Sequence, residues 1–208
     1  MIYFNKCRDI RERVSSISLL SKAIIYQNIA WAYLAQGDNL KEAKNLADMS
    51  LSIRKRIRGE NHLTTSFSYM LCAEVALAFH KYEDARNYIE DSLKIRIDKR
   101  GTRHKLVGDC YKTKAKIAFA EGKYEEALSI YQKAQNIREQ VLGESNSETA
   151  VIYEGIAETN FKLKRFSEAK NYAALAFDIY QRVFGIDSRK VAKIEALLQD
   201  IEEQASLI

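Results

Sequence analysis

Apolar residues recur along this chain with the spacing of helices rather than that of strands. Between residues 124 and 137 they fall three or four positions apart, which places them on one face of a helix. These positions are Tyr124, Ala127, Leu128, Tyr131, Ala134 and Ile137. A later stretch with Tyr153, Ile156 and Ala157 follows the same rule, with a small residue on its apolar face. The pattern predicts helices in pairs, joined by short turns.

The paired pattern returns every 42 residues. An alanine of the second helix recurs as Ala43, Ala85, Ala127 and Ala169, an isoleucine as Ile53, Ile95, Ile137 and Ile179, and a glycine as Gly59, Gly101, Gly143 and Gly185. The first helices carry Tyr26, Tyr69, Tyr111 and Tyr153. The first of these steps is one residue longer, which predicts one extra residue in the turn at residues 37–39. Matched chemistry at one period predicts an array of structural repeats.

Each column has a physical role. Alanines allow neighbouring helices to approach closely. A glycine just after a helix can adopt the left-handed conformation, so we expect the link glycines to end the second helices. Polar residues follow these glycines, and we expect Asn61, Ser145 or Asp187-Ser188 to cap the next helices.

Both ends of the chain extend beyond the four units. Residues 7–14 resemble residues 136–141, so the N-terminus is predicted to hold part of a preceding repeat. From Ser188 onward the pattern predicts one more helix that closes the apolar end of the stack. We therefore predict a single domain with a partial repeat or cap helix and four repeats before the capping helix. The predicted segments are 1–20, 22–62, 63–104, 105–146, 147–187 and 188–208.

The repeat resembles the tetratricopeptide repeat (TPR), and its period resembles the kinesin-light-chain type. The motif is carried by Tyr111, Ala115, Gly122, Tyr124, Ala127, Tyr131 and Ala134, with links at residues 142–146 and 59–62. The resemblance implies an all-α, right-handed superhelix, an α-solenoid, whose groove binds other proteins. The proline of the family link is absent, and its groove asparagine is replaced by Gln27, Met70, Lys112 and Glu154. These departures leave the fold intact but remove the basis for a family cargo motif.

Composition narrows the class of protein. The 208 residues include no proline and 47 % hydrophobic residues, which suits a helical fold with a core. The three cysteines form no CxxC motif, which favours free thiols in a reducing compartment. We found neither a membrane span nor a signal peptide and expect a cytoplasmic protein, or an effector delivered without such a signal. Oligomeric state is open.

Charge is uneven along the chain. Residues 1–105 hold 19 Lys and Arg against 12 Asp and Glu, while residues 106–208 hold 14 against 16. The net charge is therefore +7 in the first part and −2 in the second. A basic surface favours an acidic partner.

The sequence predicts neither a catalytic site nor a metal or cofactor site. His62 and His104 occupy equivalent links a full layer apart, which is unsuited to a shared metal. Cys72 and Cys110 fall at small-residue positions of first helices and are interpreted as buried hydrophobic residues. We therefore expect a protein that is not an enzyme.

In the superhelix that the resemblance implies, the first helices line a concave groove. Counting one, five and eight residues from each first aromatic residue gives the predicted partner-binding positions. They are Gln27, Trp31, Leu34, Met70, Glu74, Leu77, Lys112, Lys116, Phe119, Glu154, Glu158 and Phe161. A constant apolar row beside a variable polar row suits an extended peptide or a partner helix. The alternative is that the apolar row, and Trp31 with it, only fills the space between helices.

Basic residues cluster where the first two second helices end. They are Arg54, Lys55, Arg56, Arg58, Arg96, Lys99, Arg100 and Arg103. The favoured interpretation is that they complement the helix dipole on a solvated face. The alternative is a basic edge for an acidic partner, and nucleic acid is disfavoured because no aromatic stacking platform accompanies the cluster.

The sequence therefore predicts a non-enzymatic scaffold that binds a peptide or partner helix. The alternative is a sensor or regulatory module of a larger protein, such as a bacterial signalling ATPase or a peptide-responsive regulator, that packs on its own neighbouring domain.

Overall fold

The computed structural model describes residues 18–207, and these residues form helices and no strand. The all-α fold class is thus confirmed. The predicted N-terminal partial repeat lies almost entirely outside the described residues. In chain order the helices are α1 (Leu19–Gln36), α2 (Leu40–Arg58), α3 (Leu63–Ala78), α4 (Tyr82–Arg100), α5 (Lys105–Ala120), α6 (Tyr124–Leu142), α7 (Ser147–Lys162), α8 (Phe166–Phe184) and α9 (Arg189–Ala205).

The helices after the links begin at residues 42 apart. His62, His104, Asn146 and Ser188 cap α3, α5, α7 and α9, and each side chain accepts a hydrogen bond from a backbone N–H of the first turn. The predicted caps Asn61 and Ser145 are wrong by one position, whereas Ser188 is confirmed. At two of these helices the cap is a histidine ring, in place of the short polar side chains that usually cap helices.

The link glycines have the positive φ that favours glycine. Gly59, Gly101, Gly143 and Gly185 lie at φ between 79° and 86°, but their ψ of 162–166° differs from the left-handed helical value. The predicted left-handed closure is therefore wrong in detail. The region that these residues do occupy is accessible almost only to glycine, which explains why glycine recurs here. The amide of each donates to the carbonyl four residues earlier, as from Gly59 to Lys55 at 3.0 Å.

Turns within the helix pairs explain the one-residue shift of the first repeat. Left-handed residues occur at His80, Gly122 and Lys164, and one residue follows each before the next helix starts. In the first turn the corresponding residue is Gly37, and two residues follow it before Leu40. The extra residue therefore lies within residues 37–39, as predicted.

The chain divides into two compact units between Gly101 and Thr102. In the first unit, α1 to α4 pack in sequence around a core that includes Ile29, Leu46, Tyr69 and Leu71. Ala43 and Ala85 are completely buried there. The alanines thus lie at helix contacts, as the need for close approach predicts.

In the second unit, α5 to α9 also pack mainly on their neighbours in sequence. Ala127 and Ala169 are completely buried in its two core clusters. A further helix, α9, packs on α8 and buries Val191, Ile194 and Ile201. The described residues therefore form helix pairs followed by one further helix, and its role in closing the stack stays a prediction.

Candidate functional site

The predicted groove positions of α1 are partly exposed. Gln27, Trp31 and Leu34 are all half-buried, and the last two pack against the core cluster of the first unit. Trp31 and Leu34 therefore contribute to packing while each keeps part of its surface outside the core. This arrangement is compatible with both interpretations of the apolar row.

On α3 the predicted positions differ in accessibility. Met70 is 7 % exposed and belongs to the interior of the unit. Glu74 and Leu77 are half-buried. Met70 therefore offers little surface to a partner. Its counterpart on α1, Gln27, accepts a hydrogen bond from Arg54.

On α5 the predicted positions are Lys112, Lys116 and Phe119. Lys116 is exposed, and the other two are half-buried. The ring of Phe119 lies edge-on to Tyr124, with their centroids 5.3 Å apart. This residue therefore stabilises the contact between α5 and α6 as well as presenting a partly exposed face.

On α7 the predicted acidic positions already have cationic and phenolic partners. Lys193 of α9 lies 2.5 Å from Glu154 and 2.8 Å from Glu158, and Tyr180 donates to Glu154 at 2.7 Å. Burial opposes the charge on Lys193, but hydrogen bonds to both carboxylates outweigh it and raise the lysine's pKa. The third position, Phe161, packs against Phe166 at 6.0 Å between centroids. Helix α9 thus offsets one of the two negative charges at these positions through Lys193.

The predicted basic edge separates into buried, half-buried and exposed residues. Arg54 and Arg96 are only 5 % and 1 % exposed, so they lie inside the first unit rather than on its edge. Lys55 is half-buried between Glu60, 3.0 Å away, and the ring of Tyr69. The hydrogen bond to Glu60 is the main cause of its raised pKa. The exposed members are Arg56, Arg58, Lys99, Arg100 and Arg103.

Arg54 and Arg96 belong to a buried column that was missed in the sequence. The same second-helix position, repeated every 42 residues, carries Arg54, Arg96, Arg138 and Tyr180. All four residues are at most 5 % exposed, and each bonds to a first helix. The signal was present as three arginines at the repeat period, but a charged residue is usually assigned to the surface.

Partners of the column differ between the units. Arg138 forms ion pairs with Asp109 of α5 and Glu148 of α7. Arg54 instead donates from Nη1 to two neutral groups, the Gln27 amide oxygen and the Ser68 hydroxyl, the second at 2.9 Å. Burial lowers the pKa of Arg54, because it removes water from the charged guanidinium group.

A cavity of about 430 Å³ adjoins Arg54 in the first unit. We call it the Arg54 cavity, and it lies between α1, α2 and α3. Its walls are Leu20, Ile24, Gln27, Arg54, Arg58, Thr64 and Phe67. The structure therefore brings one predicted groove residue, Gln27, together with two residues from the predicted basic edge.

Two further cavities are smaller. One, of about 320 Å³, lies in the second unit beside Tyr153, whose hydroxyl donates to Glu139 at 2.8 Å. The other, of about 200 Å³, lies in the first unit beside Cys72, Asp48 and Tyr88. Burial raises the pKa of the Cys72 thiol to about 12, which keeps it protonated and unreactive near neutral pH.

The predicted links at His62 and His104 have a structural role as helix caps. Their Nδ1 atoms each accept a backbone hydrogen bond at 3.1 Å. No group of three or more His, Cys, Asp or Glu side chains within residues 18–207 is arranged to hold a metal ion. None of the helices between Leu19 and Ala205 is long and apolar enough to cross a membrane.

Comparison with known proteins identifies the repeat. The tetratricopeptide repeat family model matches residues 38–98 and 110–182. No curated protein sequence matches the chain at a significant level.

Solved structures of low sequence identity have a similar fold. BtubC (BKLC) from P. vanneervenii is 16 % identical, with a TM-score of 0.77 over 99 % of this chain and 82 % of that chain. TPR-like repeats assigned to a kinesin light chain of Podosopora anserina are 15 % identical, with a TM-score of 0.72 over 92 % and 90 %. A signal transduction ATPase with a tetratricopeptide repeat sensor from Pyrococcus horikoshii is 20 % identical, with a TM-score of 0.72 over 95 % and 30 %.

Proposed function

Because this chain belongs to the tetratricopeptide repeat family, of the kinesin-light-chain-like type, we propose that it is a non-enzymatic interaction scaffold. Its partner is a peptide or a helix of another protein. The partner binds along the first-helix face that carries the predicted groove positions.

The observation that carries this proposal is the uneven burial of the first helices. The repeated alanines are completely buried, whereas Trp31, Glu74, Lys112 and Phe161 keep part of their surface exposed. The repeated alanines are Ala30, Ala73, Ala115 and Ala157. A mixed apolar and polar face of this kind suits an amphipathic partner, because apolar anchors supply affinity and polar groups set specificity.

An acidic partner fits the charge of the first part of the chain, where the net charge is +7. The exposed arginines Arg56, Arg58, Arg100 and Arg103 would attract such a partner at long range. Nucleic acid fits less well, since Arg54 and Arg96 are buried and unable to contact a phosphate backbone.

Charge reversal in the groove tests the proposal. We expect Lys112→Glu plus Lys116→Glu to remove specific partners from affinity capture, with quantification by mass spectrometry. The control is Lys133→Glu plus Lys162→Glu, which makes the same charge change at exposed residues outside the predicted groove. Retention of the same partners by both double variants, with unchanged circular dichroism, would exclude the central groove as the site.

Fluorescence of Trp31, the single tryptophan, supplies a direct readout. We expect emission to change when a captured partner is titrated in, because the half-buried indole would lose contact with water. A partner that binds without any change in emission would indicate that Trp31 serves packing alone.

The second candidate function is a sensor or regulatory module of a larger protein. It is favoured by the likeness to the signal transduction ATPase, in which the aligned region is 30 % of that chain and a tetratricopeptide repeat sensor is named. Sequencing the complete transcript tests this candidate. A nucleotide-binding domain in the same reading frame would support it, and an open reading frame limited to helical repeats would contradict it.

We place either function in the cytoplasm. The support is that Cys72 and Cys110 are buried and belong to no disulfide within residues 18–207, as is usual for proteins of reducing compartments. Localisation of a tagged full-length protein by fluorescence microscopy would test this assignment.

A further inference from the structure

We propose that the Arg54 cavity binds a small amphipathic carboxylate, a molecule whose apolar body carries one carboxylate group. This inference goes beyond the proposed scaffold function and does not rest on it, because the site needs no protein partner. The residues that line the cavity between Leu20 and Phe67 all belong to the first unit.

The apolar part of the cavity is formed by Leu20 and Ile24 of α1 and Phe67 of α3. Ile24 is 51 % exposed, so its side chain offers apolar surface at the cavity. Contact with an apolar body would remove this surface from water. The volume of about 430 Å³ also falls within the range of pockets that hold small ligands.

The polar part of the cavity is formed by Arg54 and Arg58. Arg54 is 95 % buried, and within residues 18–207 both of its hydrogen bonds leave from Nη1 and end on uncharged groups. A buried cation without a carboxylate partner is costly, whereas one that meets an anion gains a charge-assisted hydrogen bond. Arg58 lies one helical turn further on, is exposed and forms no ion pair within residues 18–207.

The equivalent arginine of the second unit shows which groups pair with a buried arginine at this position. Arg138 lies 84 residues after Arg54 and has two carboxylate partners, Asp109 and Glu148. In the first unit, Thr64 occupies the position of Glu148, two periods of 42 residues earlier. Ile24 occupies the position of Asp109, two periods and the one extra residue of the first turn earlier. Both line the cavity, so apolar and neutral side chains occupy the places from which anions reach Arg138. The ligand carboxylate would supply the missing charge.

A combination of apolar contact and one carboxylate defines the ligand class. A neutral alcohol of the same length would gain the apolar contact alone, and an amine would meet repulsion from both arginines. Each added methylene should strengthen binding about fourfold while the apolar part still has room, the factor that corresponds to ~0.8 kcal/mol.

Isothermal titration calorimetry of the full chain with octanoate and decanoate tests the proposal, at concentrations below micelle formation. We expect saturable one-to-one binding, tighter for decanoate than for octanoate, with 1-octanol at least about tenfold weaker and octylamine without effect. Equal responses to octanoate and octylamine, or absence of saturable binding by either carboxylate, would overturn the proposal.

Matched variants assign the binding to the cavity. Arg58→Gln should weaken decanoate binding about tenfold, whereas Arg56→Gln, an equally exposed change outside the cavity, should leave it unchanged. Ile24→Glu should abolish binding, while Ile186→Glu, at an isoleucine that is 59 % exposed elsewhere, should have no effect. If each control weakens binding as much as its counterpart, the association is non-specific and the proposal fails.

One result would reassign the cavity. An acidic peptide that binds with the same dependence on Arg58 and Ile24, while octanoate and decanoate fail to bind, would show that the cavity belongs to a protein partner. The groove test with Lys112 and Lys116 is independent of these variants, so failure of either proposal leaves the other testable.

Discussion

At the residue scale, single positions decide how closely the helices approach. Gly155 of α7 faces Tyr131 of α6, and a β-carbon built on it would lie 2.5 Å from the tyrosine ring. Two of the other repeats carry larger residues at this position, Thr113 and Leu71. Gly155 therefore provides space for a buried ring and is not required by the backbone, because its φ is not positive.

We predict that Gly155→Ala destabilises the protein by about 1–2 kcal/mol. Overpacking against the 4 % exposed Tyr131 costs ~1–3 kcal/mol, and the better helix propensity of alanine offsets up to ~1 kcal/mol. The measurement is the midpoint of urea unfolding, followed by circular dichroism. Gly108→Ala is the control, since its β-carbon would meet Ile137 at 3.3 Å and should cost less. A stabilised Gly155→Ala variant would contradict the close approach.

Helix caps also depend on single residues, and the sequence pattern does not specify their exact position. Polar residues after each link glycine were recognised as cap candidates, but the position was missed by one at residues 61 and 145. The caps are His62 and Asn146, whose side chains reach the backbone N–H groups of Thr64 and Glu148. Which of two adjacent polar residues caps a helix depends on backbone angles that composition does not reveal.

At the element scale, helix pairs are joined by both apolar contacts and buried polar bonds. The second helices insert Arg54, Arg138 or Tyr180 between first helices, and Ser50 adds hydrogen bonds of 2.9 Å to Ala23 and Ser68. Polar groups buried in this way are directional, so they specify the relative position of the helices more narrowly than apolar packing does.

We predict that Asp109→Ala destabilises the protein by about 1–3 kcal/mol. The change leaves the 2 % exposed Arg138 with Glu148 alone, and a buried charge that loses a partner is costly. The measurement is the free energy of unfolding in urea at constant salt. Glu125→Ala is the control, because the Glu125 pair with Arg165 is exposed and should contribute at most ~1 kcal/mol. Equal effects of the two changes would show that burial of Arg138 carries no penalty.

At the scale of the whole molecule, each helix is stabilised mainly by contacts with the helices next to it in sequence. Helices of each unit pack mainly on the helices next to them in sequence, as in other repeat proteins. A local defect should therefore loosen adjacent helices without affecting distant ones.

We predict that Ala127→Leu accelerates amide hydrogen exchange in α5, α6 and α7 but leaves α1 and α2 unchanged. Ala127 is completely buried, and a leucine there overpacks the helix contact by ~1–3 kcal/mol. Exchange is measured by mass spectrometry of peptic fragments. Ser129→Leu, at an exposed position of the same helix, should not alter exchange. Uniform acceleration along the chain would indicate a single cooperative unit instead.

The sequence by itself determined the repeat, the helix pairs, the alanine contacts and the family. These features depend on residues close together in the chain, and they recur at one period, so each unit repeats the evidence of the others. The tertiary structure decided which side chains meet. It buried Met70, Arg54 and Arg96, paired Glu154 with Lys193, and joined Gln27 and Arg54 at one cavity. Arg54 bonds to a residue 27 positions away, and such contacts depend on how helices are oriented when they pack, which the period of a sequence does not specify.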